Sequence, residues 1–304
     1  MLRNMNGFLI INKPKGKSSF WAVERIRRIS KQKKVGHAGT LDPLASGVLV
    51  LCLGEATKLS NYAMDENKVY KVTGRLGMRT TTLDAEGEII QNLEVSAIDV
   101  NKEKLVLALE GFKGWIEQMP PMHSAIKKDG APLYRLARRG ISIEREKRRV
   151  FISEISLLDF NFPFYTLKVS CSKGTYIRTL IDDIGLNLGV GSYVTDLERL
   201  RSGAFDIKDA IDLKDNTTVE ELENNIIDME KLVSSIMPII DVPYELAKKV
   251  SDGYSLADLG CELFFQHKDF AVMSILDDKR TLVAVVENGA VRVFNHRRWS
   301  NNVQ

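Results

Sequence analysis

Apolar and polar positions in the first part of the chain predict strands on either side of one helix. Residues 7–11 form a short apolar run, and residues 48–53 form a continuous one, typical of a strand buried on both faces. Between them, residues 18–31 repeat apolar side chains at helical spacing, with a serine placed to cap the first turn. Residues 68–77 then alternate between apolar and polar, as a half-buried strand does.

The pattern predicts further elements along the chain. Residues 101–109 have helical spacing, and residues 149–160 and 164–172 read as two consecutive strands. A third helix is predicted from about residue 175, and Gly189 stands where a helix stop belongs. The pattern therefore predicts a protein that contains both strands and helices.

The chain length permits one large domain and one small one. With 304 residues, of which 44% are hydrophobic, the chain can bury a sizeable core. We predict a large domain over residues 1–236, with a protruding, partly helical insertion over about 118–146. We predict a small β-rich domain over 237–304, entered through a linker at 237–243 and containing strand-like runs between 270 and 294. A plain β cap on the large domain is the alternative for this tail.

The net charge of +3 conceals a segregation of charge along the chain. Residues 13–34 carry nine lysines or arginines against one acid, and residues 127–149 carry nine against three. Residues 206–230 instead carry nine acids against two lysines. Because Lys and Arg displace counterions from phosphates, the two basic blocks favour a nucleic-acid partner. Taken alone, either block is also compatible with a solvated helix face.

Composition also narrows the expected cellular setting. Apolar runs stay shorter than the roughly 18 residues of a membrane span, and the first residues lack the apolar stretch of a secretory signal. Cys52, Cys171 and Cys261 lie in apolar surroundings without metal-like pairing, and the four histidines are widely spread. These features predict a cytoplasmic protein with reduced thiols and argue against a zinc site.

The stretch 36–47 is the main candidate for chemistry. Glycines punctuate it, and it holds Asp42 immediately before Pro43, ahead of the buried strand predicted over 48–53. Proline forces the preceding residue out of the α region, so the carboxylate is fixed at the mouth of that strand. An Asp-Pro turn without a chemical role is the alternative.

Arg178 occupies an unfavourable position in its predicted helix. It falls in the first turn, where the positive end of the helix macrodipole disfavours a cation. A pair with Asp182 at i,i+4 is one explanation, although a basic residue on the N-terminal side gives the weaker orientation. The other explanation is a carboxylate from elsewhere in the chain, and Asp42 is the candidate.

Several motifs, taken in order, resemble a known family. They are residues 12–16 (NKPKG), 36–43 (GHAGTLDP), 54–58 (GEATK), 68–70 (KVY), 118–121 (QMPP), 124–127 (SAIK), 137–140 (ARRG) and 172–179 (SKGTYIRT). Together they resemble the bacterial TruB pseudouridine synthases, which isomerise the T-loop uridine at position 55 of tRNA. The resemblance extends with few gaps from residue 7 to about residue 203.

The resemblance implies a role for each matching residue. Asp42 would be the nucleophile, attacking either the base or the sugar, and Arg178 would keep it ionised and aimed. Tyr70 would stack on the target base and help to remove its C5 proton. The residues expected around the flipped nucleotide and its phosphates are Lys13, His37, Tyr176 and Leu197. Those expected to grip RNA from the insertion are Lys127, Arg138 and Arg139.

The resemblance also implies a fold and partners. It implies an α+β pseudouridine synthase fold with a central, mostly antiparallel mixed sheet, helices on one side, an RNA-gripping insertion and a small β-rich, PUA-like C-terminal domain. The expected partner is the T-arm stem-loop of tRNA, with no membrane and no obligate protein partner. Isomerisation needs neither redox change nor added groups, so no metal or organic cofactor is expected. Assistance in tRNA folding is compatible with catalysis.

Alternatives remain open for both the residues and the function. A plain core or turn role is the alternative for Tyr70, His37 and Lys13. An RNA-binding chaperone without chemistry is one rival function, and a carbohydrate hydrolase using Asp42 is another, although the sequence offers no second carboxylate motif. The positions that depart from the family pattern concern contacts at the rim: they are Asn12, Thr81 and His123.

Overall fold

The chain forms a mixed fold of strands and helices. The structure is a computed structural model that describes residues 5–65, 67–96, 100–124, 127–128, 131–137, 139–141, 143–254, 256, 259–260, 264, 266–276 and 279–294. The strands are β1 (Gly7–Lys13), β2 (Val35–Ala38), β3 (Ser46–Leu53), β4 (Lys68–Leu76), β5 (Met78–Thr80), β6 (Ile89–Asn92), β7 (Gly114–Gln118), β8 (Lys127–Lys128), β9 (Ala131–Pro132), β10 (Arg148–Asn161), β11 (Phe164–Cys171), β12 (Ser192–Ser202), β13 (Phe205–Asp206), β14 (Ile239–Asp241), β15 (Asp269–Leu276), β16 (Lys279–Glu287) and β17 (Ala290–Val293). The α-helices are α1 (Ser19–Ser30), α2 (Ser60–Asp65), α3 (Lys102–Glu110), α4 (Leu133–Ala137), α5 (Ile177–Asn187), α6 (Val219–Asn224), α7 (Met229–Ile236) and α8 (Tyr244–Ser251). Short 3₁₀ helices cover Gly54–Leu59 and Ile207–Asp209.

A nine-stranded mixed sheet forms the centre of the fold. Its strands follow the order β1-β3-β12-β4-β11-β10-β7, with β2 added to β3 and β13 added to β12. The pairings are antiparallel except that of β3 with β12, in which Glu198 and Arg199 lie opposite Ser46 and Gly47. The predicted central, mostly antiparallel mixed sheet is confirmed.

Hydrophobic clusters cover both faces of this sheet. One face packs against α1, α3 and α5, whose apolar side chains join those of β4, β11 and β12. On the other face, Phe8, Ile10 and Val50 pack with α7 and with the C-terminal strands. The expectation of helices on one side is wrong, because β3 is apolar on both faces and each face must be covered.

Local sequence sets the ends of the two helices that border the site. Ser18 caps α1, since its hydroxyl oxygen accepts a hydrogen bond from the backbone N–H of Trp21 at 3.1 Å. Helix α5 ends at Asn187, and Gly189 follows with a φ of +76°, in the left-handed region that suits glycine. Both helices therefore match the sequence prediction closely, and Arg178 does lie in the first turn of α5.

The C-terminal residues form a second sheet in the order β14-β15-β16-β17. The linker predicted at 237–243 is wrong, because β14 lies within it, buries Ile240 and pairs in parallel with β15. Met273 and Leu282 of this sheet share a buried cluster with β1 and β3. A β-rich C-terminal region is thus confirmed, while its PUA-like character and a boundary after residue 236 stay predictions.

The predicted insertion follows β7. Within it the structure describes the β8–β9 hairpin and helix α4, in agreement with a partly helical segment. Among the residues that the structure describes, no helix is both long and apolar enough to cross a membrane. Cys52 and Cys171 are buried free thiols, and Cys261 lies outside the described residues.

Candidate active site

The loop between β2 and β3 presents Asp42. The Ser19 hydroxyl, at the start of α1, makes two hydrogen bonds with the backbone of Leu41. It donates to the Leu41 carbonyl at 2.9 Å and accepts from the Leu41 N–H at 2.8 Å. The backbone N–H of Ala45 donates to the Asp42 carbonyl at 3.1 Å, which closes a turn around Pro43. The Asp42 side chain is 39% exposed, so the loop offers a carboxylate that a substrate can reach.

Arg178 reaches Asp42 across the fold. Its Nε lies 2.9 Å from Oδ2 of Asp42, although the guanidinium side chain is only 5% exposed. The alternative partner Asp182 is taken by Arg79, which donates to its two carboxylate oxygens at 2.6 and 2.8 Å. The cation that is misplaced for its helix therefore has the carboxylate partner that the sequence predicts.

A second carboxylate supports Arg178 from behind. Asp84 is 3% exposed, and its Oδ2 lies 3.3 Å from Nη1 of Arg178. Two further guanidinium hydrogens go to backbone carbonyls, from Nη1 to Thr82 at 2.9 Å and from Nη2 to His123 at 2.8 Å. Burial and the carboxylates of Asp84 and Asp42 raise the pKa of the neighbouring Glu86. The site thus contains a carboxylate–guanidinium–carboxylate chain, of which the sequence analysis had two members.

A cavity of about 580 Å³ opens beside this chain of charges. The residues that matter for its chemistry are Asp42, Tyr70, Tyr176, Arg178, Leu197 and Arg199. Five of these six were predicted from the sequence, and the structure brings all five to one cavity. The rings of Tyr70 and Tyr176 form part of its wall, and burial raises the pKa of both phenols.

Two predicted residues lie near the cavity without lining it. Lys13 is fully buried, and its Nζ donates to the carbonyls of Pro14 at 2.9 Å and Lys17 at 2.6 Å. Burial lowers the pKa of Lys13 to about 8, and the charge of Asp42 opposes this shift. His37 lies on β2, where burial lowers its pKa; within the described part of the chain, its buried Nδ1 has no hydrogen-bond partner.

The lowered pKa of Lys13 predicts a pH-dependent stability. The folded protein releases the Lys13 proton near pH 8, whereas the unfolded chain holds it to above about pH 10. Between these values the unfolded chain binds more protons, so this group makes the free energy of unfolding rise with pH. We expect the stability of the wild type, measured relative to Lys13→Met by urea unfolding, to increase from about pH 8 to pH 10.

The other titrating groups are the same in the wild type and in Lys13→Met, so their contributions cancel in the difference of stability. Burial raises the pKa of Cys52 to about 12 and that of Cys171 to about 11, and both thiols affect the two proteins alike. A stability difference between wild type and variant that stays constant over this pH range would contradict the assigned pKa.

The residues predicted to grip RNA fall in the insertion. Lys127 lies on β8, Arg139 is exposed after α4, and Arg138 lies outside the described residues. Their proposed contact with RNA stays a prediction.

Arg199 and Asp84 are the site residues that sequence reasoning missed. Arg199 is 2% exposed on β12, two residues after Leu197, so a cation at a core-facing position was the available signal. Its Nε donates to the carbonyl of Val48 at 2.8 Å, and its Nη2 donates to that of Gly39 at 3.1 Å. These bonds tie β12 to both ends of the Asp42 loop. For Asp84, a polar turn gave no comparable signal.

The close approach of Arg199 to the loop predicts a large effect of Gly47→Ala. Gly47 has a φ of +95°, and a Cβ atom there would lie 2.3 Å from the Arg199 carbonyl oxygen. We expect this change to lower the free energy of unfolding by about 2–4 kcal/mol in denaturant titrations, through backbone strain and overpacking. Gly36→Ala is the matched control, because a Cβ at Gly36 meets nothing within 4 Å. Equal effects of the two changes would contradict the prediction.

Two family models match adjoining parts of the chain. The model of the TruB family pseudouridylate synthase (N terminal domain) matches residues 27–177. The model of the tRNA pseudouridylate synthase B C-terminal domain matches residues 178–240. The first match contains Asp42 and Tyr70, and the second begins at Arg178.

Individual proteins are similar over most of the chain. The tRNA pseudouridine synthase B of Actinobacillus pleuropneumoniae serotype 5b (strain L20) is 42% identical over 257 residues, covering 83% of each chain. That of Pseudomonas paraeruginosa (strain DSM 24068 / PA7) is 50% identical over 212 residues, covering 70% of this chain and 69% of the relative. A chain in the crystal structure of a Cbf5-Nop10-Gar1 complex aligns with the present protein with a TM-score of 0.69 at 27% identity. The alignment covers 95% of the present protein and 84% of the chain in that complex. The chain therefore belongs to the TruB family of pseudouridylate synthases.

Proposed function

We propose that this chain is an isomerase that converts the T-loop uridine at position 55 of tRNA to pseudouridine, with Asp42 as the nucleophile. The observation that carries the proposal is the Asp42–Arg178 ion pair of 2.9 Å on the wall of a cavity that Tyr70 also lines. Family membership supplies the reaction, and the similar bacterial proteins named tRNA pseudouridine synthase B support tRNA as the substrate.

The reaction requires the target base to leave its stack. A uridine inside a folded T-loop cannot reach a carboxylate recessed at a cavity wall, so the nucleotide is flipped out, at a cost of a few kcal/mol. The cavity of about 580 Å³ has room for a pyrimidine nucleoside. Tyr70 provides the ring on which the base stacks, and Tyr176 and Leu197 close the sides of the pocket.

The reaction replaces the bond between C1′ of the sugar and N1 of the base by a bond between C1′ and C5. Asp42 attacks either C1′ of the sugar or C6 of the base, and both routes break the bond between N1 and C1′. The base then turns, C5 bonds to C1′, and Asp42 departs. C5 loses one proton and N1 gains one, so the product is an isomer of the substrate and no other reactant is consumed. Tyr70 in its phenolate form is our candidate for accepting the C5 proton, and the charge of Arg199, which opposes the rise in pKa that burial causes, favours that form.

Arg178 and Asp84 would prepare Asp42 for this attack. The guanidinium stabilises the ionised carboxylate, and Asp84 holds the guanidinium in place from its other side. Because Arg178 is almost fully buried, its geometry is set before the substrate arrives. Preorganisation of this kind lowers the barrier without any rearrangement during the reaction.

The basic segments would hold the T-arm. We assign phosphate contacts to Lys127, Arg138 and Arg139 of the insertion, and a contact near the flipped nucleotide to His37. Lys13 is fully buried, so it would act on the nucleotide through its charge and not by contact. The large domain would end at residue 236 and a PUA-like RNA-binding domain would follow. Such an enzyme works where tRNA matures, so we place it in the cytoplasm.

Release of tritium from C5 tests the proposal. We expect the protein to release tritium from a T-arm stem-loop labelled at C5 of the target uridine, while the strand stays intact. Only isomerisation gives both results. A chaperone that merely folds tRNA would release no label, and a glycoside hydrolase would leave an abasic, easily cleaved strand. Either of those outcomes would overturn the proposed function.

A further inference from the structure

Arg199 is a buried cation on the wall of the cavity. Its guanidinium donates to the backbone carbonyls of Val48 and Gly39, and it also hydrogen-bonds the Tyr70 phenol. In the part of the chain that the structure describes, no carboxylate lies within ion-pairing distance of it. Burying a charge without an opposite charge is costly, so this cation needs an explanation beyond its hydrogen bonds to the carbonyls and the phenol.

Six basic residues line the cavity, and the two buried arginines among them are Arg178 and Arg199. Arg178 already has its charge balanced. Arg178 faces two carboxylates, Asp42 and Asp84, and two backbone carbonyls. Its charge is therefore more than balanced by the two carboxylates. Lys13 contributes less positive charge as the pH approaches its lowered pKa of about 8. Of these two buried arginines, Arg199 is the one whose charge is not balanced by a carboxylate of the described residues.

The position of Arg199 places this charge beside the expected base. Arg199 lies directly opposite Tyr70 in the pairing of β12 with β4, and opposite Gly47 in the pairing with β3. Its charge acts on the Tyr70 phenol, where it opposes the rise in pKa that burial causes. It also lowers the pKa of His37. The guanidinium thus lies between the Asp42 loop and the ring on which the base would stack.

We propose that Arg199 is a catalytic residue that stabilises the anionic pyrimidine formed during isomerisation. This inference rests on the proposed function. If Asp42 attacks C1′, the electron pair of the N1–C1′ bond stays on N1, and uracil separates as an anion. If Asp42 adds to C6, the electron pair of the C5–C6 double bond moves towards O4 as an enolate. Both routes place one negative charge on the ring, and a preorganised buried guanidinium stabilises it.

A substrate with a more stable pyrimidine anion tests this role. Two T-arm RNAs are compared, with uridine or 5-fluorouridine at the target, because fluorine withdraws electrons and reduces the need for help from the protein. The measured quantity is the single-turnover rate at which the parent nucleoside disappears from digests. We expect Arg199→Gln to slow the uridine reaction about 100-fold, with RNA affinity within about threefold of the wild type. The loss on the 5-fluorouridine RNA should be about tenfold smaller.

Two further variants separate the effect of the Arg199 charge from the effect of its hydrogen bonds to the carbonyls of Val48 and Gly39. Arg199→Lys keeps the charge but cannot span both carbonyls, so it should recover part of the uridine rate, and its remaining loss should still be larger on the uridine RNA than on the 5-fluorouridine RNA. Arg201→Gln is the matched control, an exposed arginine on the same strand, and should leave the ratio of the two rates unchanged.

The outcomes distinguish this inference from the proposed function. If Arg199→Lys and Arg199→Gln each lower the single-turnover rate equally on both substrates, Arg199 only holds the Asp42 loop in place. That result would overturn the inference. If Arg199→Gln does not fold, an equal loss on both substrates in Arg199→Lys alone overturns it. A wild-type protein that leaves uridine unconverted would contradict the proposed function instead.

Discussion

Asp42→Asn is expected to slow tritium release from the T-arm substrate by about 10⁴-fold or more, because an amide cannot act as the nucleophile. The change keeps the size of the side chain, and RNA affinity measured by fluorescence anisotropy should stay within a few-fold of the wild type. The binding-competent variant also allows assistance in tRNA folding to be measured without catalysis. Release of label at a rate within tenfold of the wild type would exclude Asp42 as the nucleophile.

The same variant should remain stably folded. Asp42 is partly exposed, and Asp84 still compensates Arg178 when Asp42 is neutral. We therefore expect the free energy of unfolding, from urea titration, to fall by no more than about 1 kcal/mol. This measurement separates a chemical loss of activity from unfolding.

Arg178→Met is expected to impair both stability and activity. It leaves Asp84 buried without its cation and removes the donors to the carbonyls of Thr82 and His123. Breaking a buried pair on one side costs about 3–5 kcal/mol, which urea titration would detect. Tritium release should fall by about 10²-fold or more, because Asp42 loses the group that aims it.

A double variant separates these two consequences. Arg178→Met with Asp84→Asn removes the orphaned carboxylate, so part of the lost stability should return while the activity stays low. If the double variant is no more stable than Arg178→Met, Asp84 is not compensated by Arg178 as the structure indicates. If Arg178→Met retains near wild-type tritium release, the aiming role is wrong.

Periodicity predicted most of the elements around the site. The cap and apolar stripe of α1 and the glycine after α5 are local signals, and the structure agrees with both. Two predictions were wrong: that helices lie on one side of the central sheet, and that residues 237–243 form a linker. The apolar run of β3 already implied that both sheet faces are covered, yet the sequence does not tell which segments cover them. Strand β14 has three residues between prolines, too few for a recognisable period.

The sequence prediction of the site depended on one charge in an unfavourable position. Arg178 could be singled out because a cation in the first turn of a helix is unfavourable, and that cost demanded a distant partner. Asp84 gave no such local conflict, and the core-facing position of Arg199 does not indicate a partner. Their importance depends on strand register and burial, which bring together residues about 100 or more positions apart and which periodicity cannot supply.

The packing of the C-terminal sheet on β1 and β3 has a consequence for biosynthesis. Strand β1, with Phe8 and Ile10, shares its core with Met273, Leu282 and Phe294, which are translated much later. The nascent protein therefore keeps an apolar sheet face uncovered until the strands of the C-terminal sheet have been translated. During that interval the emerging polypeptide is exposed to aggregation, and a ribosome that stops early would release a product with the same open face.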